Sequence, residues 1–269
     1  MRKHESSNRS AVPAWLLAAL VSIAILMPAA PSRAEAGVKI EWLTWSFFRI
    51  TTPGGKVILT NPWLKNPDSK TTLADIKKAD IILVPDGHRD EVGQTVEVAN
   101  KTGAKVVVTH ELAYITFKGK IPLKQMVRVQ PGSTITVEGI RIRVVNSVHG
   151  NGKLGAAALG FFITFENGYT LYFSGSTDVT LDMKLWGELF KPDAAILYTH
   201  GHMNPRDVAL MARFLSEKNP NLKTVIPHHH RLKPPPGRSP ADLGKALAAL
   251  GLKAKLLDPQ PGKVYTLTK

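Results

Sequence analysis

The sequence predicts an α/β fold in which short buried strands alternate with helices. Apolar runs rich in Val and Ile, such as residues 81–84, 104–108 and 194–198, are typical of buried strands. Stretches with helical spacing, such as residues 94–102 and 205–217, lie between such runs. Polar side chains that can bind metal follow at least four predicted strands: Asp86 to Glu91, His149, His200 with His202, and His229. Because the loops at strand ends converge in an open α/β sheet, we expect these side chains to meet in one site.

Residues 1–36 have the features of a secretory signal and are predicted to lie outside the fold. A basic start is followed by the apolar residues 11–30, and small residues up to Ala34 and Ala36 match signal-peptidase sites. The apolar run is also long enough to span a bilayer, for which about 20 residues suffice, so an uncleaved anchor is the alternative. Residues 37–269 are predicted to form one domain, located in the periplasm or secreted.

The chain is strongly basic, with 35 Lys and Arg against 21 Asp and Glu and a formal net charge of +14. Removal of residues 1–34, with four basic residues and one acidic residue, leaves +11. This charge favours a small anionic substrate through electrostatic steering. The basic residues are scattered without interleaved aromatic residues, so no specific nucleic-acid partner is predicted. Contact with a membrane is expected only if the N-terminal segment is retained, and the oligomeric state is left open.

The first half of the domain begins with alternating residues 38–43, a pattern typical of a half-buried strand. Thr52-Pro53-Gly54-Gly55 predicts a hairpin turn, and Gly103 predicts the end of a helix. The predicted elements are, in order, strands at 38–43, 47–50 and 56–60, a short helix at 73–79, a strand at 80–84, a helix at 94–102, and strands at 104–108, 126–129, 134–137 and 140–145.

The second half continues the alternation of strands and helices. Asn167-Gly168 is a strong hairpin signal between two apolar segments. The predicted elements are strands at 160–165 and 169–173, a helix at 181–190, a strand at 194–198, a helix at 205–217, a strand at 224–226, a helix at 241–250, and strands at 255–257 and 264–267. Cysteine is absent, so the core or a metal must supply the stability that disulfides give other exported proteins.

The segment Asp86-Gly87-His88-Arg89-Asp90-Glu91 places three carboxylates and an imidazole within six residues. Such crowding is unfavourable unless a cation or solvent compensates the charges, so a bound metal ion is the first hypothesis. A solvated polar turn is the alternative, because Asp, Gly and Arg are common in turns. The other metal-capable residues at strand ends favour the metal.

Several segments resemble one family in their order and spacing. Asp86 to Glu91 falls on a His-x-His-x-Asp-His signature, His149 on a third motif histidine, and Gly175-Ser176-Thr177 on a Gly-Asp-Thr motif. Ile226-Pro227-His228-His229 matches Ile-Pro-x-His, and the segment from His200 to Pro205 matches His-x-x-Met-x-Pro. Over nearly all of residues 37–269 the chain resembles the metallo-β-lactamase-fold hydrolases, in particular the branch similar to the bacterial ascorbate-phosphate lactonase. The resemblance implies an α/β four-layer αββα sandwich.

The same comparison shows where the chain departs from the family. Asp86 and Glu91 replace the first and last histidines of the signature, and Ser176 replaces the aspartate that usually bridges two metals. Asp178, two residues further on, is the alternative source of that carboxylate. Trp45 stands where the family's Leu-Gly-His-Ser-like segment has a polar residue, and it is expected in the core or a pocket wall.

The family pattern implies two metal positions. The first is formed by Asp86, His88 and His149, and the second by Asp90, Glu91 and His229. One or two divalent ions are expected, with Zn, Mn or Fe as the candidates. The extra carboxylates favour harder ions than zinc, and loss of the bridge makes a single ion plausible. Because three adjacent side chains cannot all face one site, at most one or two of His228, His229 and His230 are expected to be ligands. His229 is favoured by the motif, and the others are expected to face solvent.

The implied activity is metal-assisted hydrolysis of an ester, lactone or phosphoester. Asp90 is assigned to orienting or deprotonating the attacking water, and His200 to stabilising the developing charge or protonating the leaving group. The alternative is a non-catalytic protein of the same fold that binds a metal or ligand in the cell envelope. The altered ligands leave both readings open.

Overall fold

Two seven-stranded sheets form the centre of the computed structural model, which describes residues 36–150, 156–200 and 202–269. The strands are β1 (Val38–Trp42), β2 (Phe48–Thr51), β3 (Val57–Thr60), β4 (Ile81–Leu83), β5 (Lys105–Thr109), β6 (Met126–Val129), β7 (Thr134–Val137), β8 (Ile140–Ser147), β9 (Ala158–Thr164), β10 (Thr170–Phe173), β11 (Ala194–Tyr198), β12 (Thr224–His228), β13 (Lys255–Leu256) and β14 (Val264–Leu267). The helices are α1 (Arg89–Val92), α2 (Thr95–Thr102), α3 (His110–Leu112), α4 (Asp182–Phe190), α5 (Pro205–Ser216) and α6 (Pro240–Ala249).

The two sheets have matching topologies. The first has the order β14-β1-β2-β3-β4-β5-β6, and the second has the order β13-β12-β11-β10-β9-β8-β7. In the first, pairing is antiparallel from β14 to β3 and parallel from β3 to β6. In the second, pairing is antiparallel from β7 to β10 and parallel from β10 to β13. Parallel strands end at a common edge, so the loops after β4 and after β11 and β12 can supply one site.

The packing confirms the expected four layers. Alternate residues of both sheets, including Ile40 and Ile142, form a buried core between the sheets. A second core includes Val98 of α2 against the outer face of the first sheet. A third includes Met183 of α4 and Met211 of α5 against the outer face of the second. Helices therefore cover both outer faces, as an αββα sandwich requires.

Local sequence signals account for the long helices. The Asn204 side chain accepts a hydrogen bond from the Arg206 amide at the start of α5. Ser239 and Asp242 form a reciprocal capping box at the start of α6. Both helices begin with proline, whose fixed φ and missing N–H suit the first helical position. These caps explain why α5 and α6 start at, or one residue before, their predicted positions.

The structure corrects the prediction in three places. The predicted helix at 73–79 is a single 3₁₀ turn, Leu73–Asp75, because Ile76 leaves the helical region and buries its side chain in the outer core. Helix α1 was not predicted, since its four residues are all that lie between His88 and the turn at Gly93. The segment after β5 was also missed, and there α3 continues into a π-helical turn, Ala113–Phe117.

The predicted signal segment lies outside the described residues, apart from Ala36. Among the helices that the structure describes, none combines the length and the apolar character needed to cross a bilayer.

Gly175 allows the loop after β10 to lie against β9 next to the candidate site. Its φ is +58°, and a Cβ at this position would overlap the carbonyl oxygen of Leu159. We expect Gly175→Ala to destabilise the protein by about 3 kcal/mol or more, because it combines steric overlap with an unfavourable backbone conformation. Gly103→Ala is the matched control, since Gly103 has φ +76° and no heavy atom within 4 Å of the added Cβ. It should cost only about 1 kcal/mol. Urea unfolding measures both, and equal losses would contradict the close approach assigned to Gly175.

Candidate metal centre

One carboxylate and two imidazoles converge where the loops after β4 and β8 meet. Asp86, His88 and His149 each offer one ligand atom, and these atoms all lie within 4.8 Å of one another. The Asp86 Oδ1 atom lies 2.9 Å from His88 Nδ1, and Asp86 Oδ2 lies 3.9 Å from His149 Nε2. The structure thus brings together the three residues expected at the first metal position.

Asp86 has the environment of a cation ligand. Its side chain has 0% exposure, and Oδ2 has no hydrogen-bond partner among the described residues. Burial, reinforced by the negative charge of Glu91, raises the pKa of Asp86 to about 6, although the backbone N–H of His88 opposes this shift. A buried carboxylate with an unpaired oxygen is unfavourable in a metal-free protein. The site therefore suits a bound cation.

The second predicted group also assembles. His229 Nε2 lies 3.0 Å from Asp90 Oδ2 and 3.4 Å from Glu91 Oε1. Glu91 is almost fully buried, and its Oε2 has no partner among the described residues. Its Oε1 accepts a 2.6 Å hydrogen bond from Ser176 Oγ. Ser176, where a bridging aspartate was expected from the resemblance, therefore contributes a hydroxyl that holds Glu91.

Backbone geometry places both halves of this second group. Asp90 and Glu91 lie in the short helix α1. His229 follows β12 with φ +66°, an uncommon conformation for a residue with a side chain, and its N–H donates to the Trp45 carbonyl at 3.0 Å. The left-handed turn directs the His229 side chain toward α1.

The charges of the second group are coupled. Burial lowers the pKa of His229, but the hydrogen bonds and charges of Asp90 and Glu91 outweigh it and raise the pKa to about 9. Burial alone would raise the pKa of Asp90. The hydrogen bond and charge of His229 act in the opposite direction, and the pKa of Asp90 lies below its ordinary value. Without metal, the imidazolium of His229 therefore compensates the two carboxylates. A metal ion would have to displace that proton.

His200, the other predicted catalytic residue, lies beside the second group. Its ring centroid is 5.1 Å from that of His229 and 6.0 Å from that of Tyr198, on which it stacks. Burial, together with nearby His229, lowers the pKa of His200 to about 4. His200 is thus a neutral imidazole near pH 7 and acts there as an N–H donor or as an acceptor, without a full charge.

Tyr198 is a site residue that the sequence reasoning missed. Its ring centroid lies 5.9 Å from that of His149 and 5.0 Å from that of His229, so it stands between the two groups. Burial, with the charges of Glu91 and Asp90, raises the pKa of its hydroxyl above the ordinary value. The sequence signal that could have identified Tyr198 was its position as the last residue of β11, two residues before His200.

One expectation about neighbouring residues is wrong, and the alternative proposed for Asp178 is not met. His228 and His230 are buried, because their side chains turn into the protein interior. His228 lies 3.2 Å from the hydroxyls of both Ser46 and Ser174, so it has a structural role. Asp178 is exposed and its Oδ1 accepts from the Val179 amide, so it does not restore the missing carboxylate.

The fold and the site together define the class of this protein as a metal-dependent hydrolase of the metallo-β-lactamase fold. Residues 39–229 match the model of the beta-lactamase superfamily domain. The chain belongs to this superfamily and, within it, to the UPF0173 metal-dependent hydrolases.

Similar proteins support this membership along most of the chain. A UPF0173 metal-dependent hydrolase of Koribacter versatilis is 36% identical over 220 residues, covering 78% of this chain and 91% of that protein. One from Thermodesulfovibrio yellowstonii is 32% identical over 265 residues, covering 90% and 96%. Igni18, described as a novel metallo hydrolase from Ignicoccus hospitalis, has a TM-score of 0.74 at 28% identity, covering 86% and 99%. The predicted family and fold are thereby confirmed.

We expect Asp86→Asn to stabilise the metal-free protein at pH 8. Since the folded-state pKa of Asp86, about 6, exceeds the usual 3.8, ionisation of this group costs stability as the pH rises from about 4 through about 6. The amide removes that cost, so metal-free Asp86→Asn should exceed the parent by about 1–3 kcal/mol in urea unfolding. Excess Mn²⁺ or Zn²⁺ should reverse the order by stabilising only the parent. Asp178→Asn, at an exposed carboxylate, is the control, and no gain for Asp86→Asn over it would contradict the assigned burial cost.

Proposed function

We propose that this protein is an exported metal-dependent hydrolase that cleaves an ester, a lactone or a phosphoester of a small molecule. The observation that carries the proposal is the group of Asp86, His88 and His149, in which a buried carboxylate oxygen has no hydrogen-bond partner among the described residues. These three residues would hold one divalent ion, with Zn, Mn or Fe as the candidates. Asp90, Glu91 and His229 would hold a second.

The protein's own residues have distinct parts in this reaction. A bound divalent ion supplies Lewis acidity and lowers the pKa of water. The carboxylate of Asp90 is ionised near neutral pH, because its His229 partner lowers its pKa, so Asp90 can orient water or accept its proton. His200 is neutral and lines a cavity together with His229, so an N–H of its ring can donate a hydrogen bond to a developing negative charge or to the leaving group.

A second candidate function has one observation in its favour. The hydroxyl of Ser176 bonds Glu91 where the family pattern has a metal-bridging aspartate. A protein that had lost catalysis would use such a bond to stabilise the inherited cavity. In that case the site would bind a metal or ligand in the envelope without turnover.

Asp90→Asn should lower kcat by about 10²–10⁴-fold, the range expected on loss of a general base. It should keep metal at the first group, whereas His149→Ala should reduce the metal content. Elemental analysis and hydrolysis of 4-nitrophenyl acetate, bis(4-nitrophenyl) phosphate and a γ-lactone measure both effects. Asp178→Asn is the control and should match the parent in both. Retained turnover in Asp90→Asn would refute its role, and metal without turnover on any substrate class would favour the second candidate.

Export is proposed from the basic start and the apolar residues 11–30 alone. We expect the protein expressed with its full N-terminus to appear in the periplasmic or culture fraction, beginning at residue 35 or 37. Mass spectrometry of the intact protein measures the cleavage. A membrane-bound protein with an uncut N-terminus would support the anchor, and an uncut protein in the cytoplasmic fraction would contradict export.

A further inference from the structure

A cavity of about 520 Å³ lies beside the metal centre, and its walls differ in chemistry from the centre itself. We call it the tryptophan cavity, and its wall includes Trp45, Trp63, Lys65, Asp68, Arg89 and Arg231. Three cationic side chains and one carboxylate thus line the cavity. The metal centre, in contrast, is rich in carboxylates.

Trp45 joins the tryptophan cavity to the metal centre. Its ring packs edge-on against Trp63 with centroids 5.2 Å apart, and edge-on against His229 with centroids 5.1 Å apart. Trp45 and Arg231 also line a neighbouring cavity of about 250 Å³ that contains His200 and His229. A ligand in the tryptophan cavity would therefore lie next to the residues proposed to carry the reaction.

The backbone holds Trp45 in place at a conformational cost. Thr44 and Trp45 both have positive φ, +87° and +53°, although neither is glycine. The Trp45 carbonyl accepts hydrogen bonds from the Trp42 indole at 2.7 Å and from the His229 amide at 3.0 Å. Strained residues that are fixed by surrounding bonds occur preferentially at functional sites.

The opposite wall is fixed by the turn between α1 and α2. Gly93, with φ +48°, lies so close to Pro62 and Trp63 that an added Cβ would be 2.7 Å from Trp63 Cα. The Gln94 side chain accepts from the Lys65 amide at 2.9 Å. This packing holds Trp63 and Lys65 near Arg89, whose guanidinium carbon lies 5.8 Å from the Trp63 ring centroid.

The cations of this wall are available to a ligand. Lys65, Arg89 and Arg231 form no ion pair with any carboxylate that the structure describes. The Asp68 carboxylate accepts from the Leu232 amide at 3.4 Å. Guanidinium groups bind carboxylate, phosphate and sulfonate through paired N–H donors, and tryptophan rings stack on planar apolar groups.

We propose that the tryptophan cavity binds the part of the substrate remote from the scissile bond, and that this part is planar and carries an anionic group. The planar body contacts Trp45 and Trp63, and the anion contacts Arg89 with Lys65 or Arg231. The identification of the ligand as a substrate rests on the proposed hydrolase function. Binding of the ligand can be tested separately.

The test compares two probes of the same shape, 2-naphthalenesulfonate and the neutral 2-naphthalenesulfonamide, by titration calorimetry on the metal-loaded protein. We expect the sulfonate to bind about tenfold or more tightly than the sulfonamide, in line with a charge-assisted contact. Arg89→Gln should remove most of this preference, and Trp63→Leu should weaken both probes. Because Arg89 is exposed, its variant should keep the parent's melting temperature.

Arg128→Gln is the matched control, because Arg128 also lies 5.8 Å from an aromatic ring, that of Tyr114, in a different basic cavity. It should bind both probes as the parent does. Equal affinities for the two probes in the parent, an unchanged preference in Arg89→Gln, or an equal loss in Arg128→Gln would each overturn the proposal.

A kinetic pair separates this proposal from the hydrolase proposal. With 6-sulfo-2-naphthyl acetate and 2-naphthyl acetate, we expect a KM about tenfold lower for the anionic ester, and Arg89→Gln should raise that KM while leaving kcat unchanged. Absence of turnover of these esters and of the lactone and phosphoester substrates, with retained sulfonate preference, would refute the hydrolase proposal and keep the binding site. Turnover with equal KM values for the two esters would support the hydrolase proposal and refute the binding site.

Discussion

Two carboxylates, Asp86 and Glu91, lie almost completely buried at the edge where β4 ends, and the candidate site is arranged around their charge. Each keeps one oxygen without a partner among the described residues. Buried anions are stable only with a cation or with several hydrogen-bond donors. His88 supplies donors to Asp86, while Ser176 and His229 surround Glu91. The remaining oxygens without hydrogen-bond partners in the described part of the chain make this edge better suited to a bound cation than an ordinary polar turn is.

The two predicted metal-binding groups compensate their buried negative charge in different ways. At the first, the imidazoles of His88 and His149 lie beside the buried Asp86, and burial lowers the pKa of His149. At the second, His229 is close enough to Asp90 and Glu91 to stay protonated in the metal-free protein. A metal ion entering the second group competes with this proton, whereas one entering the first relieves the buried Asp86. The first group is therefore expected to fill first, which agrees with the loss of the bridging carboxylate at Ser176.

The sequence predicted the strands and the convergence of their ends, because apolar periodicity and turn residues are local signals. It also predicted Asp86, His88 and His149 as one group, through their resemblance to the family motif. It did not predict the Ser176–Glu91 hydrogen bond, which joins residues 85 positions apart. Nor did it predict that His228 and His230 are buried, because their burial depends on residues distant in sequence. His228 lies between the hydroxyls of Ser46 and Ser174, and the His230 ring packs against Trp42.

The positive φ of His229 also links the metal centre with the tryptophan cavity. His229 reaches α1 only because its backbone turns left-handed, and that turn is held by its N–H bond to the Trp45 carbonyl. Trp45 in turn has its own positive φ and forms the wall between the two cavities. A ligand that moved the Trp45 ring would act on a backbone already bonded to His229. The tryptophan cavity and His229 therefore share one residue, Trp45, whose ring lines the cavity and whose carbonyl holds the turn at His229.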